Sequence, residues 1–207
     1  MGIVLLVVLI YGLTITAPNF IHKSIDLETG KMLTKPMELT SFNLINHQDK
    51  QFQLKDLENQ WSLIFFGYTQ CPDVCPSTIF KLSQTYDLLD QDQRISKLPQ
   101  VIFISIDPER DNPETLSEYL AFFNPRFIGI TGDQSEIKKI TSTMSVYYEK
   151  IEQNKDSNSY IMNHTASIFL TNDEGSLQAD KVYYDFETKY YRVSMFSDKK
   201  VKIKLIK

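Results

Sequence analysis

Three apolar runs, WSLIFFGY (61–68), VIFISID (101–107) and FIGITG (127–132), constrain this chain more than any other feature. Each is a continuous stretch of aliphatic and aromatic residues with little polar alternation, the pattern of a strand buried on both faces. Segments with helical spacing separate them. STIFKLSQTYDLLD (77–90) places Ile79, Leu82, Tyr86 and Leu89 on one stripe. DNPETLSEYLAFFN (111–124) opens with Pro113 and Glu114, which suit a first helical turn. DQSEIKKITSTMSV (133–146) predicts a further helix, with Asp133 and Glu136 at capping-box spacing. FNLIN (42–46) with FQLKDL (52–57) predicts an N-terminal hairpin. EQNKDSNSY (152–160) is a polar loop, and ASIFLTN (166–172) with SLQADKVYY (176–184) forms a terminal hairpin across the turn DEG. Alternating strands and helices closed by hairpins give an α/β sheet with antiparallel edge strands.

The flanks differ from this centre. Residues 2–18, GIVLLVVLIYGLTITAP, carry no charge and sit at the short end of what spans a bilayer. A cleaved signal peptide would need a basic start and an Ala-x-Ala site, and residues 1–11 hold no Lys or Arg. A buried core helix would show a polar face, and Val, Leu and Ile occur all round. A membrane anchor over 1–18 is therefore the expectation. A polar tether follows over 19–38, then a domain over 39–184 and a basic tail over 185–207. With 42% hydrophobic residues, the chain has enough apolar material for a core. A net charge of −4 gives no general attraction to nucleic acid.

Both cysteines lie in TQCPDVCP (69–76), at the joint between the first buried strand and its following helix. Ligands in such sheets bind beyond the carboxyl ends of strands. Two cysteines are too few for a disulfide scaffold, so Cys71 and Cys75 are there for chemistry or are inert core residues. The mouth of a helix favours thiolates. At C-x-x-x-C spacing on a helix the two Cβ atoms stand about 5–6 Å apart. Two metal–sulfur bonds of about 2.3 Å hold sulfurs roughly 4 Å apart, a natural fit to that spacing. A disulfide is open too, since it tolerates Cα separations up to about 6.8 Å. A third ligand is available in His164, placed in YIMNHTASIFL just before an apolar strand. His22 lies in the tether, and His47 sits in a polar turn as a solvated residue. A soft set of two cysteines and one histidine suits Cu(I) first, with Cu(II) and Zn(II) also admitted.

FFGYTQCPDVCP, VIFISIDPERDNPETLSEYLAFF and YIMNHTASIFL together resemble the Sco/SenC family of membrane-anchored, thioredoxin-like copper proteins, over about residues 37–180. The resemblance implies a thioredoxin-like fold with copper bound by Cys71, Cys75 and His164. It implies a metallochaperone that helps assemble the dinuclear copper centre of cytochrome c oxidase. The alternative is a membrane-anchored thiol-disulfide oxidoreductase that reduces the cysteines of a copper-site target, with Cys71 and Cys75 as the redox pair. The implied partners are the copper-site subunit of the oxidase and a thioredoxin-like reductant or another copper carrier. The implied location is the periplasm or the mitochondrial intermembrane space. Two departures stand out: Asn163 replaces the usual Asp before the histidine, and DFETKYYRVSMFSDKKVKIKLIK, from Asp185, lacks the family's closing amphipathic helix. Asp107 and Asp111, at the end of the second buried strand, are candidates to tune the site or simply to form the turn.

Overall fold

The computed structural model describes residues 32–93, 95–153, 159–185, 190–195 and 202–203. The chain runs through β1 (Met32–Met37), β2 (Asn43–Asn46), β3 (Gln51–Gln53), a 3-10 turn (Leu54–Leu57), β4 (Ser62–Gly67) and α1 (Val74–Asp90). It continues through β5 (Gln100–Ser105), α2 (Pro113–Phe123), β6 (Ile128–Thr131), α3 (Gln134–Thr143), β7 (Tyr148–Glu152) and β8 (Tyr160–His164). It closes with β9 (Ile168–Thr171), β10 (Leu177–Asp185), β11 (Tyr190–Met195) and β12 (Lys202–Ile203).

The three apolar runs form the centre of a ten-stranded sheet. Its order is β12-β11-β10-β9-β4-β5-β6-β2-β3, with β1 added against β10. β4, β5 and β6 are mutually parallel, and their ladders with β9 and β2 are antiparallel. This is the α/β sheet with antiparallel edges that the sequence predicts. Ile64, Phe65, Phe66, Ile102, Phe103 and Ile104 are all almost fully buried. Each such side chain contributes about 1.5–3 kcal/mol by leaving water. Phe65 packs on Phe103, and Phe66 meets Phe169 edge-on. α2 seats on β6 at Gly129, where an added Cβ would come within 2.9 Å of the Leu116 Cβ.

Local differences from the sequence expectations have local causes. α1 begins at Val74, three residues before the predicted Ser77, so Cys75 lies inside its first turn. Pro76 is thus the third helical residue, where a missing N–H costs nothing because the first four have no intrahelical acceptor. α2 starts as predicted: the Asn112 side chain accepts from the Thr115 N–H at 2.8 Å, and Pro113 is the first helical residue. α3 is preceded by Asp133, but that side chain makes no cap bond. Glu136 is diverted instead to the Asn43 N–H and to Lys139, tying α3 to β2. His47 is not a solvated turn residue; its Nδ1 accepts the Gly129 N–H at 3.0 Å and extends the β2–β6 pairing.

The predicted polar loop is the distal part of a hairpin. β7 and β8 pair in register from Tyr148↔His164 to Glu152↔Tyr160, as a two-stranded sheet of their own. Alternation along these strands is weak because four of five β7 residues are exposed, which hid them from periodicity. The end of the segment read as a tether forms β1, paired with β10. Residues 2–18, expected as an anchor, lie outside the described residues. Among the described residues, no helix is long and apolar enough to cross a membrane.

Candidate metal centre

Beyond Gly67 the chain leaves the carboxyl end of β4, turns through Tyr68–Asp73 and enters α1. The Cys75 N–H, free of any helical acceptor in the first turn, donates to Cys71 Sγ at 3.4 Å. Cys71 is partly exposed and Cys75 is fully buried, and both are free thiols. His164 arrives from the other side as the last residue of β8, with Nε2 3.5 Å from Cys75 Sγ. One potential ligand atom each from Cys71, Cys75 and His164 lies within 4.8 Å of the others. Thus the three residues singled out in the sequence converge on one spot, although His164 lies 89 positions beyond Cys75.

The imidazole presents one nitrogen to the sulfurs. Its Nδ1 lies 3.0 Å from the Thr165 carbonyl. A carbonyl only accepts, so Nδ1 carries the proton and Nε2 turns its lone pair toward the sulfurs. Burial lowers the His164 pKa, against the raising effect of that carbonyl, so the ring is neutral at neutral pH. Tyr68 and Phe65 flank it edge-on, at 6.0 and 6.3 Å between ring centroids, and fix its plane. Asn163 is exposed and pairs with Glu149 across the hairpin. The orienting partner of the imidazole is therefore a main-chain carbonyl, and no carboxylate at 163 is needed for that task.

The sulfurs behave differently from the simple helix-mouth expectation. Burial pushes the Cys75 thiol strongly up; the Tyr68 backbone bond opposes this, and Cys71 and Asp111 add to it. Desolvation outweighs the helix N-terminus, which is worth only about 0.3–1 kcal/mol. Cys75 therefore stays protonated until something replaces its proton, as a metal ion does. Space for its sulfur depends on Gly67, where a Cβ would fall 2.8 Å from Cys75 Sγ and 2.7 Å from the Phe103 ring.

The two carboxylates singled out nearby stand outside the three-residue cluster and hold its surroundings. Asp111, wholly buried, accepts from the Thr69 N–H (2.9 Å), the Thr69 hydroxyl (2.5 Å) and the Ser105 hydroxyl (2.6 Å). Burial raises its pKa against those three donors. It thereby holds the loop two residues before Cys71. Asp107 accepts from Arg110 Nε and from the Tyr160 hydroxyl at 2.8 Å. Sequence reasoning missed Thr69, Arg110 and Tyr160. The block DPERD carried the signal, since so many charges at a strand end need partners, but only the fold reveals where those partners come from.

The donor chemistry fits a soft metal ion: two sulfurs and one neutral imidazole nitrogen, with no carboxylate among them. The SCO1/SenC family model matches residues 31–191. A SCO2-like protein of Rickettsia felis is 37% identical over 134 residues, which are 65% of this chain and 64% of that protein. The human mitochondrial protein SCO1 homolog is 36% identical over 155 residues, 74% of this chain and 50% of its own length. The chain thus spans about half to two thirds of these relatives. Among solved structures, Bradyrhizobium japonicum ScoI with copper bound has a TM-score of 0.62 at 38% identity, covering 68% of this chain and 87% of that one. Yeast Sco1 with copper bound has a TM-score of 0.64 at 32% identity, covering 70% and 80%.

Proposed function

The chain belongs to the SCO1/SenC family, and on that premise we propose that it is a copper-binding metallochaperone that helps assemble the dinuclear copper centre of cytochrome c oxidase. Copper is the cargo, held by Cys71, Cys75 and His164. The observation that carries this reading is the convergence of their ligand atoms within 4.8 Å, with the imidazole in the tautomer that leaves Nε2 free. Solved relatives that contain copper support the choice of metal. Cu(I) suits the soft sulfurs, and the imidazole extends the site to Cu(II). Three protein ligands leave a side open through which a partner takes the ion.

In this reading residues 1–18 anchor the protein in a membrane, 19–38 tether it, 39–184 form the copper domain and 185–207 a basic tail. The domain faces the periplasm or the mitochondrial intermembrane space. Its partners are the copper-site subunit of the oxidase and a thioredoxin-like reductant or another copper carrier. The test is copper analysis of the reduced full-length protein after dialysis against a moderate Cu(I) chelator. One copper per chain is expected. A folded protein with stoichiometry near zero overturns the reading.

A second reading has its own observation: the partly exposed Cys71 thiol lies against the Cys75 amide, beside a second free thiol. Such a pair reduces a target disulfide by forming its own, passing two electrons and two protons to the target sulfurs. His164 is dispensable for that exchange, and this separates the two functions.

A further inference from the structure

We propose that Arg110 is a positioning residue for the metal centre, one guanidinium joining the cysteine loop to the hairpin that carries His164. The inference rests on the copper reading above. The problem it answers is structural. The sulfurs belong to the joint of β4 and α1 in the ten-stranded sheet, whereas His164 ends a separate two-stranded sheet. Among the described residues no strand ladder joins the two. The main chain reaches the large sheet from His164 only through residues 165–167, which lead into β9 beside β4, so the approach of imidazole to sulfurs rests on that short link and on side chains.

Arg110 spans the gap. Its Nη1 donates both to Gln70 Oε1, immediately before Cys71, and to the Tyr160 carbonyl, at the start of β8, each at 3.1 Å. Its guanidinium carbon lies 3.6 Å from the centroid of the Tyr160 ring and 5.6 Å from that of Tyr68. Among the described residues Nη2 is buried without a hydrogen-bond acceptor, and the guanidinium lies against these ring faces. Behind it, Nε donates to Asp107, whose other oxygen accepts the Tyr160 hydroxyl. Arg110, Asp107 and Tyr160 thus form a closed set of three, and a partly buried side chain held at so many points has little freedom to shift. Beside it Lys150 pairs with Glu109 and lies over the outer part of Tyr160. β8 is stiffened by its register with β7, so fixing Tyr160 fixes the approach of His164 four residues on. Only a planar fork makes these contacts at once; a lysine ammonium has neither the second nitrogen nor the flat face.

The experiment is a double-substitution cycle on the full-length protein in mild detergent. Wild type, Arg110→Met, His164→Ala and the combination are compared by Cu(I) affinity in chelator competition. The nitrogen hyperfine pattern of the Cu(II) form is recorded by electron paramagnetic resonance, and thermal unfolding is followed alongside. Arg110→Met is expected to lose about 10–100-fold in copper affinity, the range for removing a ligand's support. It is expected to broaden or weaken the nitrogen pattern, with Arg110→Lys recovering only part. In the His164→Ala background the same change is expected to cost nothing further, because its effect passes through the histidine. Should Arg110→Met fail to fold, Tyr160→Phe, which keeps ring and carbonyl but drops the bond to Asp107, is put through the same cycle with a smaller loss expected. An equal loss with and without His164, or an unchanged nitrogen pattern, overturns the positioning role while leaving the copper reading intact. Wild type that takes up no copper overturns both, and does so before any variant is compared.

Discussion

At His164 the two functional readings part company. His164→Ala removes the one neutral nitrogen from the cluster and leaves both thiols in place. Copper affinity is expected to fall by more than the roughly 10–100-fold that follows loss of a ligand's hydrogen-bond partner. Cu(II) suffers most, because it favours nitrogen more than Cu(I) does. The dithiol potential, measured in glutathione buffers, is expected to move much less, since neither sulfur changes. An unchanged copper affinity with a strongly shifted potential would move the function to thiol exchange. The same residues set a pH window for the metal-free fold. The pKa of His164 is lowered from 6.5 by burial, so unfolded chains bind more protons just below that value, and stability is lost as pH falls through it. The Cys75 pKa is raised from 9.0, so its contribution is complete below 9.0 and is lost as pH rises beyond it. Thermal unfolding of the reduced protein is expected to show a plateau between these limits. Cys75→Ser, which has no thiol to ionise, is expected to flatten the alkaline limb; an alkaline limb that persists in that variant assigns it to another group.

Among the elements, those with strong patterns were legible and those held by tertiary contacts were not. β4, β5 and β6 are buried on both faces, so their apolar runs announced them, and the parallel order followed from the helices between. Pro113 and Glu114 announced the start of α2. The start of α1, read from the apolar stripe as Ser77, lies instead at Val74, which places Pro76 third in the helix. The cap of α3 was misassigned because Glu136 found a better partner in the Asn43 amide, 93 residues away, which no local rule foresees. The cluster of Cys71, Cys75 and His164 was legible from residue type and placement, but the hairpin that delivers His164 was not, being mostly exposed. Gly67 sits at the border of the two cases. It is simply the last residue of an apolar run, yet its missing side chain makes room for a sulfur. Gly67→Ala is expected to destabilise the protein by about 1–3 kcal/mol through overpacking. It is also expected to weaken copper binding, because Cys75 Sγ at 2.8 Å must yield along with the Phe103 ring at 2.7 Å. Chemical denaturation and chelator competition on one preparation check both. A stability loss with unchanged affinity would show that the Phe103 ring yields in place of the sulfur.

For the whole molecule, a copper carrier works by where it is held as much as by what it holds. The described chain opens on β1, which pairs with β10. The basic stretch that ends the sequence, with five lysines between Lys199 and Lys207, adds no hydrophobic span. In the proposed reading, attachment to a bilayer falls to residues 2–18, which carry no charged side chain. A stretch of this kind partitions by the hydrophobic effect, and that contribution is indifferent to ionic strength, unlike attraction between screened charges. The full-length protein is therefore expected to stay in the membrane fraction through both high-salt and alkaline carbonate washes. A variant lacking residues 2–18 is expected to appear in the soluble fraction with its copper stoichiometry unchanged, since Cys71, Cys75 and His164 all lie in the domain beyond. Release of the full-length protein by salt would make the attachment peripheral and electrostatic, with the lysines near the end as its source. A mature N-terminus mapped beyond residue 17 would make the segment a cleaved signal, and the carrier would then have to find the oxidase by diffusion.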